Sequence, residues 1–563
     1  MRTAIVALLL AVASPAAGAP DAPAPPDARV AAAAPGLAAV RPDALSANTR
    51  FLSAGALEGR TPGSRGHDVA ALFVATRMQA LGLEPAAGDG RWEQEVPLRA
   101  WRLDPEASGL TVRGPGQAPT WLVRDQDFVA LSDGELSEVE LEGPVAFVGY
   151  GISAPEYGYD DLKGVSLEGK IAVVLWGAPS SDRPNFFPPA PRAAYADRAA
   201  KLRRLAGRGA AGVILVYGPE AEESLPWEDF VRSARTEGMG WLDRGRLGDG
   251  VEGLPARAVV SLRGLEKIAA AAGVPGGARG ILEKADANRL AAQDWPIRAR
   301  IRSRADLRET RSANVLGMLR GADAARSGEI VVVTAHLDHL GVGEPGGGDA
   351  VHDGDTDDAV GVAVLLEMAR AFAAMPRRPA RSVLFAAVTG AEQGLVGSSY
   401  LARHPVVPGA AVVAVLNVDG APTAFPLLDV VAHGSAHSSL GAEARLAAAA
   451  LGLELSPDPA PRASAFVRSD QYSFVREGVP ALHVTPGPKL PPGEDPEARR
   501  RWGRARHHTP GDGWNPAWRW DDAARFARLQ FLLAWLVADG AERPRWNEGD
   551  FFARVPRPEG GRR

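Results

Sequence analysis

The sequence predicts an α/β fold: a mostly parallel or mixed central sheet flanked by helices, with an inserted β-rich lobe. Two patterns predict the sheet and its helices. "EIVVVTA" (329–335), "RSVLFAAVTG" (381–390) and "AAVVAVLNV" (410–418) are continuous apolar, largely β-branched runs, as expected of strands buried on both faces. Between the first two, "DAVGVAVLLEMARAFAAM" (358–375) has the length and apolar content of a helix, with an acid at its start where the helix dipole favours negative charge. A third pattern predicts the insert. From about Leu110 to Leu290 short strand candidates such as "GPVAFVGYGI" and "GKIAVVLWG" are broken by Gly, Pro and Asp.

Taken in order, the chain opens with a leader-like segment, 1–19. Arg2 supplies the basic end, "AIVALLLAVA" an apolar core too short to span a bilayer, and "AGA" at 17–19 a small-residue cleavage site. With no cysteine in the chain, there is no disulfide, no thiolate ligand and no lipid-anchoring cysteine. A periplasmic or secreted bacterial protein is expected, with no stable membrane insertion after leader removal. Residues 20–40, beginning "PDAPAPPDA", read as a flexible linker. Residues 41–109 contain the loop "LEGRTPGSRG" and the amphipathic helix "HDVAALFVATRMQALGL", and form the first part of the main domain. Residues 110–300 form the insert, 301–545 the second part of the main domain, and 546–563 a C-terminal tail. A net charge of −5 over 563 residues gives no basic excess for nucleic acid.

The chemistry sits just past the strands. "TAHLDHLG" places His336 and Asp338 after the first, "HDGDTDDAVG" places Asp357 and Asp358 at the following helix start, "TGAEQG" places Glu392 after the next strand, and "LNVDG" places Asp419 after the last. "RHHTPGDGW" adds His507 and His508. Ligands of open α/β sheets gather at carboxyl strand ends. Carboxylates and imidazoles suit zinc or another divalent first-row ion, and two such ions about 3.5–4 Å apart are a hydrolytic device. Each residue alone has an ordinary reading: a loop histidine, a helix cap, a turn acid before glycine. His339 and His352 are read as loop residues.

These pieces bring a resemblance into view. "LEGRTPGSRG", "VGYGISAPEYGYDDLKG", "EGKIAVVL", "AHLDHLG", "GDTDDAVGVAVLLEMARAF", "EQGLVGSSYLARHP", "LNVDG", "RSDQYSFVREGVPAL" and "HHTPGD" resemble, in order, the secreted co-catalytic di-zinc aminopeptidase family that carries an inserted protease-associated domain. The resemblance covers nearly the whole chain after the leader. It implies a zinc exopeptidase-like fold, two Zn2+ ions and a peptide substrate or ligand. Residue by residue, it implies that His336 and Asp419 bind one zinc, that Glu392 and His508 bind the other, and that Asp357 bridges them. Asp338 matches the acid that orients the first histidine, and Asp358 stands where the family usually has asparagine.

Two positions depart from the family. The usual "EEQGL" reads "AEQGL" here, so Ala391 replaces the glutamate that takes a proton from the bridging water. Losing a general base typically costs on the order of 10²–10⁴ in rate. His507 stands where the family often has tyrosine, as a possible oxyanion donor. The expected activity is therefore zinc-dependent release of N-terminal residues, weak or absent unless another group replaces the base. Asp355 is the first substitute to consider. The alternative is a zinc-binding pseudoenzyme or peptide-binding interaction protein.

Overall fold

Two sheets share one strand. The computed structural model describes residues 27–179, 187–343, 350–407, 411–461 and 465–554. In the main domain, helices α1 (Pro42–Leu52) and α2 (Arg65–Ala80) precede strand β1 (Glu93–Leu103). A second lobe follows, with β2 (Glu138–Phe147), β3 (Ile171–Leu175), β4 (Gly212–Val216) and β5 (Ala256–Val260). The chain returns through β6 (Gln293–Leu319) to β7 (Glu329–His336), α3 (Val360–Ala373), β8 (Ser382–Val388), β9 (Ala411–Asn417), β10 (Asp429–His433), α4 (Leu440–Ala450), β11 (Ala481–Pro486) and α5 (Trp520–Asp539).

The main sheet is mixed, with order β1–β6–β8–β7–β9–β11–β10. Strands β8, β7, β9 and β11 are mutually parallel and form its centre, while β1, β6 and β10 are antiparallel to their neighbours. The central runs are buried on both faces. Residues such as Leu45 of α1, Leu365 of α3, Phe385 of β8 and Trp535 of α5 share one apolar core on one side of the sheet. Leu384, Val415 and Phe474 belong to a second core, formed by the opposite-facing side chains. Among the described residues no helix is long and apolar enough to cross a membrane.

Strand β6 is 27 residues long and explains how the two lobes join. Its first half pairs with β2, and its second half with β1 and β8. The exposure pattern changes along it. Arg298, Arg300, Arg302 and Arg304 face outward while Ile297, Ala299, Ile301 and Ser303 face inward, as in a half-buried strand. From Asn314 to Leu319 every residue is buried. The expected boundary near residue 300 thus lies inside a continuous strand. The second lobe has its own core, which includes Val173, Ile214, Ala258 and Ile301. Its centre is a parallel set, β2–β3–β4–β5. Gly238–Asp243, within the expected insert, instead pairs with β1 at the edge of the main sheet.

The expected leader, 1–19, and the first residues of the expected linker lie outside the described residues. The rest of the expected linker is not a tether. Ala28–Ala32 and Ala34–Ala39 are short helices. They dock on α5: Trp535 Nε1 donates to Arg29 O at 3.2 Å, and Arg29 pairs with Glu443 at 3.0 Å. Alanine-rich sequence gives little periodic contrast, and its small side chains allow close packing. The expected tail is also packed as far as Arg554. Trp546 Nε1 donates to Gly478 O, and Phe552 is buried; residues 555–563 lie outside the described residues.

A Cβ on Gly36 would lie 2.2 Å from Phe531 Cζ and 3.0 Å from Ala371 O. Gly36→Ala therefore overpacks the interface and should lower stability by about 1–3 kcal/mol, read from urea unfolding. Unchanged stability would show that this helix does not dock.

Candidate metal centre

Parallel strands put their carboxyl ends on one edge. His336 ends β7 and pairs in register with Val388, the last residue of β8, so the turn carrying Glu392 begins beside it. Thr334 pairs with Asn417, which places Asp419, two residues on, level with His336. The chain between β7 and α3 returns to this edge through a single wide turn, Asp355–Ala359, before the helix starts at Val360. Asp358 therefore does not cap a helix. Its Oδ2 accepts from His336 N at 3.2 Å and its Oδ1 from Gly420 N at 2.7 Å, tying the ends of β7 and β9 together. An asparagine there would present only one such acceptor oxygen.

The last loop is fastened to this turn by its own motif. In "HHTPGD", Asp512 accepts from Thr356 N at 2.9 Å and from Thr356 Oγ1 at 2.7 Å. That clamp carries His508, in a left-handed conformation at φ 58°, over Asp357.

The two oxygens of Asp357 face different partners. Oδ1 lies 3.0 Å from His336 Nε2, which is 3.9 Å from Asp419 Oδ1. Oδ2 lies 3.2 Å from His508 Nε2, which is 3.2 Å from Glu392 Oε2. The structure thus brings His336, Asp357, Glu392, Asp419 and His508 together, in two groups that meet at Asp357. Donor atoms around a tetrahedral zinc with bonds near 2.0–2.2 Å stand about 3.3–3.5 Å apart. The spacings of 3.0 and 3.2 Å lie near that value, the 3.9 Å from His336 to Asp419 is wider, and the nitrogen and oxygen donors fit zinc.

Neighbouring groups hold these side chains. Ser469 Oγ donates to Asp419 Oδ2 at 2.6 Å, and Asn417 Nδ2 donates to Ser469 Oγ at 2.6 Å. Asp338 does not orient His336 through its carboxylate, which is 3.9 Å from Nδ1. The backbone carbonyl of Asp338 does so instead, at 3.1 Å. The carboxylate accepts from Ala391 N at 3.1 Å and Glu392 N at 3.3 Å, and so positions the turn that presents Glu392. A carbonyl two residues along the chain is nearer to the imidazole than the side chain can come.

His339, expected as a loop residue, is fully buried in the site, with Nδ1 2.9 Å from Glu392 Oε1. His339, Asp357 and Glu392 form a third group with donor atoms close enough to share an ion. Its position in "AHLDHLG" was the available signal; a single loop histidine carries no periodicity. The ring of His352 is 6.4 Å from that of His339, outside these groups. His507 Nδ1 is 3.2 Å from Asp357 Oδ2 and its ring stacks on His508, yet it is 67% exposed. Asp355, the substitute base considered above, lies in the turn that carries Asp357. It is buried and accepts from Ser53 Oγ of the loop after α1 at 2.9 Å. Burial, with the charge of Asp512, pushes its carboxyl up to about 8. Ala391 is half-buried at the turn before Glu392.

Charges in the cluster oppose one another. Burial pulls His508 down, but its hydrogen bonds to Asp357 and Glu392 and their charges prevail and raise it to about 10. Burial likewise acts against His336, and Asp357, Asp358 and Asp419 raise it well above the usual histidine range. Burial and the charge of Asp357 push Glu392 up, while His339 and His508 prevail and lower it to about 2.

The central sheet is mixed α/β in type, and the carboxyl ends of its parallel strands β7, β8 and β9 gather these donors. Residues 314–534 match the model of Peptidase family M28. The aminopeptidase from Aneurinibacillus sp. strain AM-1 has a similar fold, with TM-score 0.51 and 18% identity, over 92% of this chain and 97% of that one. A protein of Pyricularia oryzae described as a probable zinc metalloprotease is 41% identical over 108 residues, 19% of this chain and 20% of its own length. A Leptosphaeria maculans protein of the same description is 38% identical over 92 residues, 16% of this chain and 20% of its own length. The chain therefore matches only about a fifth of the length of these curated relatives.

Their carboxylate neighbours favour the protonated forms of His336 and His508 in the metal-free protein, so metal uptake displaces protons. Zinc affinity should weaken on acidification. At pH 8, saturation should release protons, measured by calorimetry in buffers of different ionisation enthalpy. No proton release would contradict this charge assignment.

Proposed function

We propose that this protein is a zinc-dependent metallo-exopeptidase of aminopeptidase type, holding two ions and acting on peptide N-termini outside the cytoplasm. The observation that carries the reading is the division of Asp357, one oxygen toward His336 and the other toward His508. His336 and Asp419 would hold one ion, Glu392 and His508 the other. The M28 match over residues 314–534 supports the peptidase reading. The resemblance in the first sequence pieces supports a protease-associated identity for the second lobe, and the leader-like start supports export.

Bound there, zinc supplies a Lewis acid and lowers the pKa of coordinated water. The protein's part is to fix the donors and to move protons. Asp338 holds the turn of Ala391 and Glu392 through two N–H groups, so Glu392 is presented in one orientation. His339 holds the other oxygen of Glu392. His507, exposed beside Asp357, offers a ring N–H to a developing oxyanion. What the turn lacks is a carboxylate at position 391 to accept a proton and return it to the leaving amine.

Ala391 favours a second reading on the same site: capture of peptide N-termini with little turnover. An amine leaving without a proton is a poor leaving group, so amide bonds should suffer more than activated esters. Asp355, buried against Ser53, is the substitute base to test alongside that reading.

Ala391→Glu should keep zinc binding and raise turnover of an aminoacyl substrate at least about tenfold, a floor below the usual contribution of a positioned base. Both forms are compared at equal zinc occupancy. Robust turnover by the Ala391 form with no gain from glutamate would mean that another group supplies the base.

A further inference from the structure

The motif "LEGRTPGSRG" has no part in the donor set, yet its arginine reaches the floor of the site. Arg60 is 1% exposed. Its guanidinium makes four hydrogen bonds, all to backbone carbonyls. Nε donates to Leu337 O at 2.7 Å, Nη1 to Asp353 O at 2.6 Å and to Leu52 O, and Nη2 to Gly354 O at 2.9 Å. Leu337 lies between His336 and Asp338. Asp353 and Gly354 lead directly into the turn that carries Asp357. One planar group therefore ties together the two loops that present these side chains, and fastens both to the end of α1.

The local backbone is bent to put it there. Glu58 and Arg60 have φ of 50° and 52°, with Gly59 at 65° between them. Two non-glycine residues in this region are strained, and such strain persists where the surroundings enforce it. Gly59 is wedged in, since a Cβ there would lie 2.6 Å from both Gly341 O and His352 O. Asp338, Asp355, Asp358 and Asp357 act on the guanidinium as opposing charges, although none of its four hydrogen bonds is to a carboxylate. A lysine could supply charge but not this planar fork.

We propose that Arg60 is a positioning residue for the metal centre: it sets the separation of His336 and Asp357 and supplies the fixed positive charge beneath the site's carboxylates. The proposal rests on the metal reading above. It makes Arg60 act through the ligand-bearing loops and not on substrate.

The test uses the full chain, wild type, Arg60→Met and Arg60→Lys. Zinc affinity is measured by competition with a chromophoric chelator, cobalt-loaded protein gives a visible spectrum that reports ligand geometry, and urea unfolding gives stability. Arg60→Met should weaken zinc binding by about 10–100-fold, the usual scale for groups that orient metal ligands. Its cobalt spectrum should change, and millimolar guanidinium chloride should restore part of the affinity. Arg60→Lys should fall between. Wild-type affinity and spectrum in the folded variants would overturn the proposal, even with lowered stability, because that pattern belongs to a purely structural arginine. If Arg60→Met does not fold, Arg60→Lys decides by the same criterion. Wild-type protein that takes up no zinc would instead overturn the metal reading itself, and this proposal with it.

Discussion

Crowding of negative charge at the ends of three parallel strands is the constraint on which this structure depends. Asp338, Asp357, Asp358, Glu392 and Asp419 share one edge, and like charges at such range disfavour one another in a poorly solvated site. The fold answers with separate devices. Backbone N–H groups absorb Asp338 and Asp358. Imidazoles face Asp357 and Glu392, and the Arg60 guanidinium sits behind the loops. Asp357 faces both donor groups, one oxygen toward His336 and the other toward His508, so it is where two cations would be held by one carboxylate. The remaining negative charge is a standing attraction for divalent metal.

The supporting groups have a shared logic. Most come from the loop next in line, not from the residue adjacent in sequence. Asp338 positions the β8 turn, Asp358 positions the β9 end, Asp512 positions the turn of Asp357, and Ser469 holds Asp419. The site is thus built by loops that brace one another across the strand ends. Strand β6 plays a corresponding part at the scale of the lobes, because its pairing with both sheets makes the second lobe continuous with the main one.

The central strands and the five clustered side chains were legible because strong local signals coincide there: continuous apolar runs with polar residues immediately after them. Other features lacked that coincidence. The helices of residues 28–39 are written largely in Ala and follow a Pro-rich stretch, and they look like a tether until Trp535 and Phe531 are seen packed against them. Asp358 looked like a helix acid because the pattern does not distinguish a wide turn from a first helical turn. Asp338 was placed beside the right histidine, but whether its carboxylate or its carbonyl would reach the imidazole depends on loop path. His339 and Arg60 had no signal beyond membership of a motif, since contacts across 53 and 277 positions of sequence leave no periodic trace. The alternating arginines of β6 did carry a strand pattern, and it was the change of exposure midway that hid the strand's length.

Locating metal in the zinc-loaded protein tests the account most directly. Diffraction at the zinc absorption edge should show two peaks about 3.5–4 Å apart, one on each side of the Asp357 carboxylate, with His336 and Asp419 around one and Glu392 and His508 around the other. A single peak, or a pair of peaks not bridged by Asp357, would contradict it.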